Sequence, residues 1–273
     1  MSVVTTHEAP ARVPHAAHRV RSTAVVSQLA ARGVQRVLRR PSLLMPTVVM
    51  PVFFLIAFAG SFNSLTNLPD FPTDNIRSWM LPYAILQGAA FAGVGAAGGT
   101  ATDIELGFFD RLLLAPCSRL DLLVGPLTYS ALRSLVPTTV VLLLALALGA
   151  AVPGGVLAVV ALVVAAVGVA LVFGTLGLAI VYRLKSLRSL AIVQIAIFMM
   201  MFLSIGQVPL RDQTGWLHAV ARFNPMTNIL RLARQGFIGH VSWHETWPGL
   251  LAIAGLIGGF GALALRGLRR IVP

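Results

Sequence analysis

The side chains best able to do chemistry in this chain are carboxylates, and several are gathered in one place. From Asp103 to Leu120 the sequence reads D-I-E-L-G-F-F-D-R-L-L-L-A-P-C-S-R-L, with Asp103, Glu105, Asp110 and Arg111 close together between long apolar runs. Carboxylates so spaced can serve acid–base chemistry on a lipid intermediate, or they can form ion pairs. Charges at this density do not sit in hydrocarbon, where each costs about 2.5 to 3.5 kcal/mol at the membrane centre. The island therefore lies in water at the end of a membrane-spanning helix. Between its charges Ile104, Phe108, Leu112 and Ala115 recur at helical spacing, which gives a short helix one apolar face before Pro116 ends it. Such a helix, half apolar and half charged on a membrane surface, is built to touch something.

Other chemistry is missing. A phosphate-binding loop ends Gly-Lys-Ser/Thr, but the single lysine, Lys185, follows Leu184, so ATP hydrolysis of that kind is not expected. No G-x-S-x-G nucleophile elbow occurs. His240, His244 and Glu245 put three potential metal ligands near one another, but Pro248 stands where H-E-x-x-H needs its second histidine, so no metal site is expected. Cysteine occurs once, at Cys117, and no intramolecular disulfide is possible.

The elements that must position the island belong to a membrane. Of 273 residues 57% are hydrophobic and 11% charged, against about 25% charged in soluble domains. The net charge of +12 comes from arginines at the ends of apolar runs, which marks membrane anchors and not a nucleic-acid surface. Residues 1–42 read as a cytoplasmic tail and an amphipathic interfacial helix from Ser22 to Arg40, with Val26, Ala30, Gly33 and Val37 on one side and Arg32, Arg36 and Arg39 on the other. Charge-free intervals then place six spans within a transmembrane domain of 43–265, at about 43–63, 79–102, 134–152, 156–182, 189–210 and 246–265, with 266–273 as a second cytoplasmic end. Gly88, Ala92, Gly95, Ala96 and Gly99 in the second span let another helix approach closely. Ala57-Phe58-Ala59 mimics a cleavage site, but the region before it is too long for a signal peptide.

Basic residues number sixteen on the side of the termini and the island, against five on the other, which puts both termini in the cytoplasm. No charge falls inside a span so drawn, which argues against an ion-coupled transporter. Between spans five and six, Asn224 as N-cap, Pro225 at the first helical position, a stripe of Met226, Ile229, Leu230 and Ala233, and Gly236 as a closing residue predict a short extracytoplasmic helix. Together with residues 216–223 this makes two short helices dipping into the outer leaflet. Span five carries Gln194, Phe198, Met199, Met200, Met201, Phe202 and Gln207, a pliable surface for amphipathic ligands or a plain packing face.

The pattern resembles the permease subunit of a type-two ABC exporter, the family that includes the daunorubicin-resistance permeases. The resemblance covers nearly the whole chain. Its carriers are the interfacial helix, the island with Glu105, Gly107, Pro116, Ser118 and Arg119 at the family's spacing, and N-P-M-T-N at residues 224–228 followed by Arg231 or Arg234 and Gly236. Where the family often has Arg before the Glu, this chain has Ile104.

The resemblance implies an all-α, six-span integral membrane protein that is not itself an enzyme. It implies a permease dimer, identical or mixed, in the cytoplasmic membrane, bound to two cytoplasmic ATPase subunits that hold ATP and Mg while this chain binds no cofactor. Residues 104–115 would then act as the coupling helix, with Ile104, Glu105, Gly107, Phe108, Arg111, Leu112, Pro116 and Arg119 as contacts. Glu105 would pair with a basic residue of the ATPase or stabilise its own helix. Spans one, two and five would face the export route, with Gln87, Gln194, Phe198, Met200, Met201 and Gln207 along it. The cargo implied is an amphipathic drug or lipid. The rival readings are an ion-coupled transporter and a membrane-embedded enzyme on lipid intermediates.

Overall fold

The computed structural model describes residues 22–68, 71–114 and 118–271. The expected tail and three of the island residues, Ala115, Pro116 and Cys117, lie outside them. The described residues are nearly all helical. Helix α1 (Ser22–Arg39) is the predicted amphipathic helix; α2 (Met45–Ser61) follows after a 3-10 turn, and α3 (Ile76–Glu105) begins where Asn75 accepts hydrogen bonds from the backbone of Arg77 and Ser78. Helices α4 (Phe108–Leu114), α5 (Arg119–Ala147), α6 (Gly155–Leu184) and α7 (Leu190–Phe202) come next. The chain ends with α8 (Gly215–Phe223), α9 (Pro225–Ile238) and α10 (Trp243–Ile271). Among the described residues five stretches are long and apolar enough to cross a membrane: 41–61, α3, α5, α6 and 243–270; the stretch 187–202 is apolar but shorter.

Helix α3 is the axis of the bundle, packed against α2, α5, α6, α7 and α9. It is apolar all round and rich in small residues, so it suits the interior, and its backbone can approach others closely. A methyl group on Gly93 would meet the Ala170 carbonyl oxygen at 2.5 Å, and one on Gly177 would meet Ala97 Cβ at 2.6 Å. Thus α3 and α6 nearly touch. Of the glycines expected to admit a helix, Gly88 does so, facing Pro51 and Pro137, whereas Gly95 and Gly99 instead make room for the guanidinium groups of Arg133 and Arg36.

Several boundaries differ from those expected. Helix α5 starts at Arg119 and not near Ser134, because Ser118 and Asp121 form a reciprocal capping box there (3.1 and 3.0 Å). Absence of charge marks only the apolar part of a helix, so Arg133 falls well inside α5. Helix α7 ends at Phe202 and not at Leu210. Its thirteen residues cover only about 20 Å. Gly236 does not close α9; it is buried within the helix, its carbonyl accepts from Gly154 N at 2.9 Å, and a side chain there would strike Ala158. The predicted single island helix is two pieces. Gly107, at φ +68°, ends α3 in the left-handed region and turns the chain into α4.

Candidate functional site: the two ends of α3 and the seam between them

At the island end, the last turn of α3 ties three elements together. Asp103 is held by α1: Arg32 donates to both carboxylate oxygens (3.0 and 2.9 Å) and Arg36, one turn on, donates at 2.8 Å. The Arg32 guanidinium also covers the Phe108 ring at 3.8 Å, so α1 reaches α4 as well. Glu105 accepts from the backbone N–H of Leu187 at 2.8 Å and from Ser186 Oγ at 3.5 Å, in the loop between α6 and α7. Its partner in this chain is thus that loop. The start of α1 is pinned too, since Ser22 Oγ donates to Asp121 of the capping box.

The apolar face expected to meet a partner faces inward here. Phe109 is buried against Tyr182, with ring centroids 5.7 Å apart, and Ile104 and Leu112 pack on the cluster of Leu122, Leu178 and Leu268. Phe108 is half-buried beneath Arg32. What faces outward is another set: Leu106 and Leu114, 76% and 88% exposed, with Asp110, Arg111 and Arg119.

Between the ends, an aromatic seam joins α2, α3 and α7. Phe54, Phe58 and Phe62 recur every fourth residue along α2 and its C-cap, and Phe58 and Phe54 meet Phe202 at 6.4 and 6.0 Å. Tyr83 and Phe91 of α3 meet Phe202 and Phe198 at 6.2 and 5.7 Å. The i, i+4 phenylalanines were a legible signal that composition alone passed over. Of the expected route residues, Phe198 is in this seam, Met200 is half-buried, and Met201 points into the core at 1% exposure. Gln194 is exposed, on a groove of about 290 Å³ that Arg36 and Arg133 also line. Gln87 is fully buried in α3, and neither its amide nitrogen nor its oxygen has a hydrogen-bond partner.

At the far end of α3 the chain after α7 is irregular yet buried, with Ser204 and Ile205 at 2% and 5% exposure. Irregular backbone at membrane depth survives only where its polar groups find partners within the protein. Arg234 of α9 supplies them: Nε donates to Trp79 O (3.1 Å), Nη1 to Ile205 O (2.8 Å) and Nη2 to Gly206 O (2.7 Å), while the guanidinium stacks on the Trp79 ring at 3.7 Å. The side-chain amide of Asn224 donates to Met200 O and Leu203 O (2.7 and 3.0 Å), and its oxygen caps α9. Gln213 serves Ser204 O and Val208 O; Gln207 donates to the Tyr83 hydroxyl while its own carbonyl accepts from Trp79 Nε1. This is what the N-P-M-T-N segment and its arginine do. The choice between Arg231 and Arg234 was readable: Leu230, Ala233 and Phe237 put Arg234 on the apolar stripe of α9.

His244 and Glu245 lie 3.6 Å apart, and among the described residues no group of three potential ligands is placed to hold a metal ion.

Comparison with known proteins converges on one family. The chain is 28% identical to the daunorubicin resistance ABC transporter permease protein DrrB1 of Streptomyces coeruleorubidus, over 83% of this chain and 79% of that one. It is 28% identical to the putative transport permease ycf38 of Porphyra purpurea and 27% identical to that of Pyropia yezoensis, each over 81% of this chain and 76% of the relative. Residues 24–238, which run from α1 to the end of α9, match the family described as ABC-2 type transporter, and the chain belongs to that family.

Proposed function

We propose that this ABC exporter permease moves an amphipathic drug or lipid out of the cytoplasm, working as one of a pair and driven by two separate ATPase subunits that hold ATP and Mg. On this reading six segments cross the cytoplasmic membrane, the fifth being the short α7 completed by the residues that α9 holds, and both termini are cytoplasmic. The observation that carries it is the island end. Leu106, at the C-cap of α3, and Leu114, at the end of the short α4, project outward beside Arg111, and the same corner is anchored to α1 through Phe108 and to the α6–α7 loop through Glu105. A partner that pushes on this surface moves three elements at once. Asp103 and Glu105 are both occupied in holding neighbours, which favours this role over a carboxylate pair poised for acid–base chemistry.

The test uses the purified chain and its ATPase. Leu106→Glu with Leu114→Glu should abolish co-purification with the ATPase while leaving the Tm of the permease within a few degrees of the parent, because neither side chain is buried. Undiminished association would move the docking surface elsewhere. Cys117, the single cysteine, should react with a membrane-impermeant thiol reagent in inside-out vesicles and not in intact cells. Labelling from outside would invert the topology.

A further inference from the structure

The far end of α3 holds a cavity of about 650 Å³, within the size range of small-molecule sites. It opens between the segment after α7, α9 and the start of α10, and its walls are mostly apolar: Pro72, Trp79, Ile205, Pro209, Leu210 and Ile238. The charges in those walls are unbalanced. Among the described residues the lining carries Arg211, Arg231 and Arg234 against one carboxylate, Glu245. Arg234 is 2% exposed and is bound by carbonyl oxygens and a ring face, and among the described residues no carboxylate lies within ion-pair distance of it. Arg231, half-buried one turn earlier on the same helix, makes no ion pair or side-chain hydrogen bond among the described residues. The remaining polar groups do not cancel this: Arg211 lies 3.7 Å from its neighbour Asp212, Glu245 leans on His244, and His218 is bonded to Leu210 O. A buried cation without an anion raises the local potential, and a second one left free beside an apolar wall gives that potential a ligand-facing donor.

From this juxtaposition we infer that the cavity is a binding site for an acidic amphiphile, whose phosphate or carboxylate meets Arg231 while its apolar part lies along Ile205, Leu210 and Ile238. On the exporter topology the site faces the outer leaflet, so it would hold cargo or lipid after the crossing; the inference rests on that reading for its place in transport, but not for binding. Arg is suited to the task because its planar fork pairs with both oxygens of such a group.

The experiment uses the full chain in phosphatidylcholine nanodiscs, without ATPase, so that failure here leaves the permease reading intact and loss of the ATPase partner leaves this result intact. Dodecyl phosphate is titrated and the Tm recorded, with dodecyl phosphocholine as the zwitterionic control of equal chain length. A saturable rise in Tm is expected for the phosphate, with Arg231→Gln weakening its apparent affinity about tenfold or more and Arg231→Lys retaining most of it. In a second arm, phosphatidylglycerol replaces part of the nanodisc lipid. If it alone reproduces the rise, with the same loss in Arg231→Gln, the anion at the site is a lipid headgroup; if only dodecyl phosphate does so, it is a free amphiphile. Equal responses to the two dodecyl compounds, or a response that Arg231→Gln leaves unchanged, overturns the inference.

Discussion

The two ends of α3 solve the same problem, holding polar groups beside a membrane, in opposite ways. At the island end the Asp103 side chain, 14% exposed, meets Arg32 and Arg36, whose side chains are 37% and 30% exposed, and Glu105 is itself exposed. Contacts so open to water contribute about 0.2–1 kcal/mol each and exchange readily with solvent. At the far end Arg234 is 2% exposed and joins three carbonyls from two separate segments. Water cannot replace it there. On the proposed exporter reading, one end of the axis would release and re-form its contacts while the other stays fixed. This is the division expected of a helix that is moved from one end.

Breaking the fixed end should have the largest effect. Arg234→Ala leaves the carbonyls of Ile205 and Gly206 without donors in a buried site, removes the second donor from the helical carbonyl of Trp79 and opens a void beneath α9. Each buried acceptor left unsatisfied costs about 1–3 kcal/mol, and two together are a large share of the roughly 5–15 kcal/mol that holds a typical domain. Expression and Tm in detergent should both fall sharply. Arg234→Lys should recover part of the loss, since one ammonium cannot span three carbonyls in fork geometry. A stable, well-expressed alanine variant would mean that the segment after α7 is held by something else and that the contrast between the ends is wrong.

Substitutions at the open end should act weakly on stability. Asp103→Asn should lower stability by about 1 kcal/mol or less, and the deficit should shrink in high salt as screening weakens the parent's own ion pairs. Glu105→Gln keeps an oxygen able to accept from Leu187 N, so it should be milder than Glu105→Ala. Their expected signature is in coupling: with the ATPase bound, cargo-stimulated hydrolysis should drop in Asp103→Asn and Glu105→Ala while Tm hardly moves. A Tm loss as large as that of Arg234→Ala would make the two ends equivalent.

What was legible in the sequence follows the range of the interactions concerned. The amphipathic helix α1 and the short helices α8 and α9 were readable because caps and apolar stripes act within a few residues, as Asn224 and Pro225 do. The island was readable as a surface element, but its facing was not. Ile104 and Leu112 turn inward because Leu122, Leu178 and Leu268 wait there, and those neighbours come from three other helices. Glu105 was left between a partner contact and self-capping, and its observed bond to Leu187 bridges residues far apart in the chain. Gly95 and Gly99 announced close approach without announcing that arginine side chains make it. The length of α7 was misjudged because a buried irregular segment is as apolar as a helix; only its donors, Asn224, Gln213 and Arg234, reveal that the helix has stopped.

Gln87 lies between the two ends and should give the smallest change in stability, with the opposite sign. Its amide is fully buried and neither donates nor accepts a hydrogen bond, a condition that costs about 1–3 kcal/mol for each such group. Replacement by Met keeps the length of the side chain and removes both stranded groups, so Gln87→Met should leave Tm unchanged or raise it by a few degrees. A residue kept only for packing would then be improved without consequence. If Gln87 finds its partner when the island end moves α3, the same variant should export more slowly although it folds at least as well, because the moved state loses a hydrogen bond that the resting state never had. Stability up and transport down together would place a polar contact of the moving state in the middle of α3. Unchanged export in a stabilised variant would show that the axis pivots without Gln87, and a clear fall in Tm would show that its amide is satisfied in the resting protein.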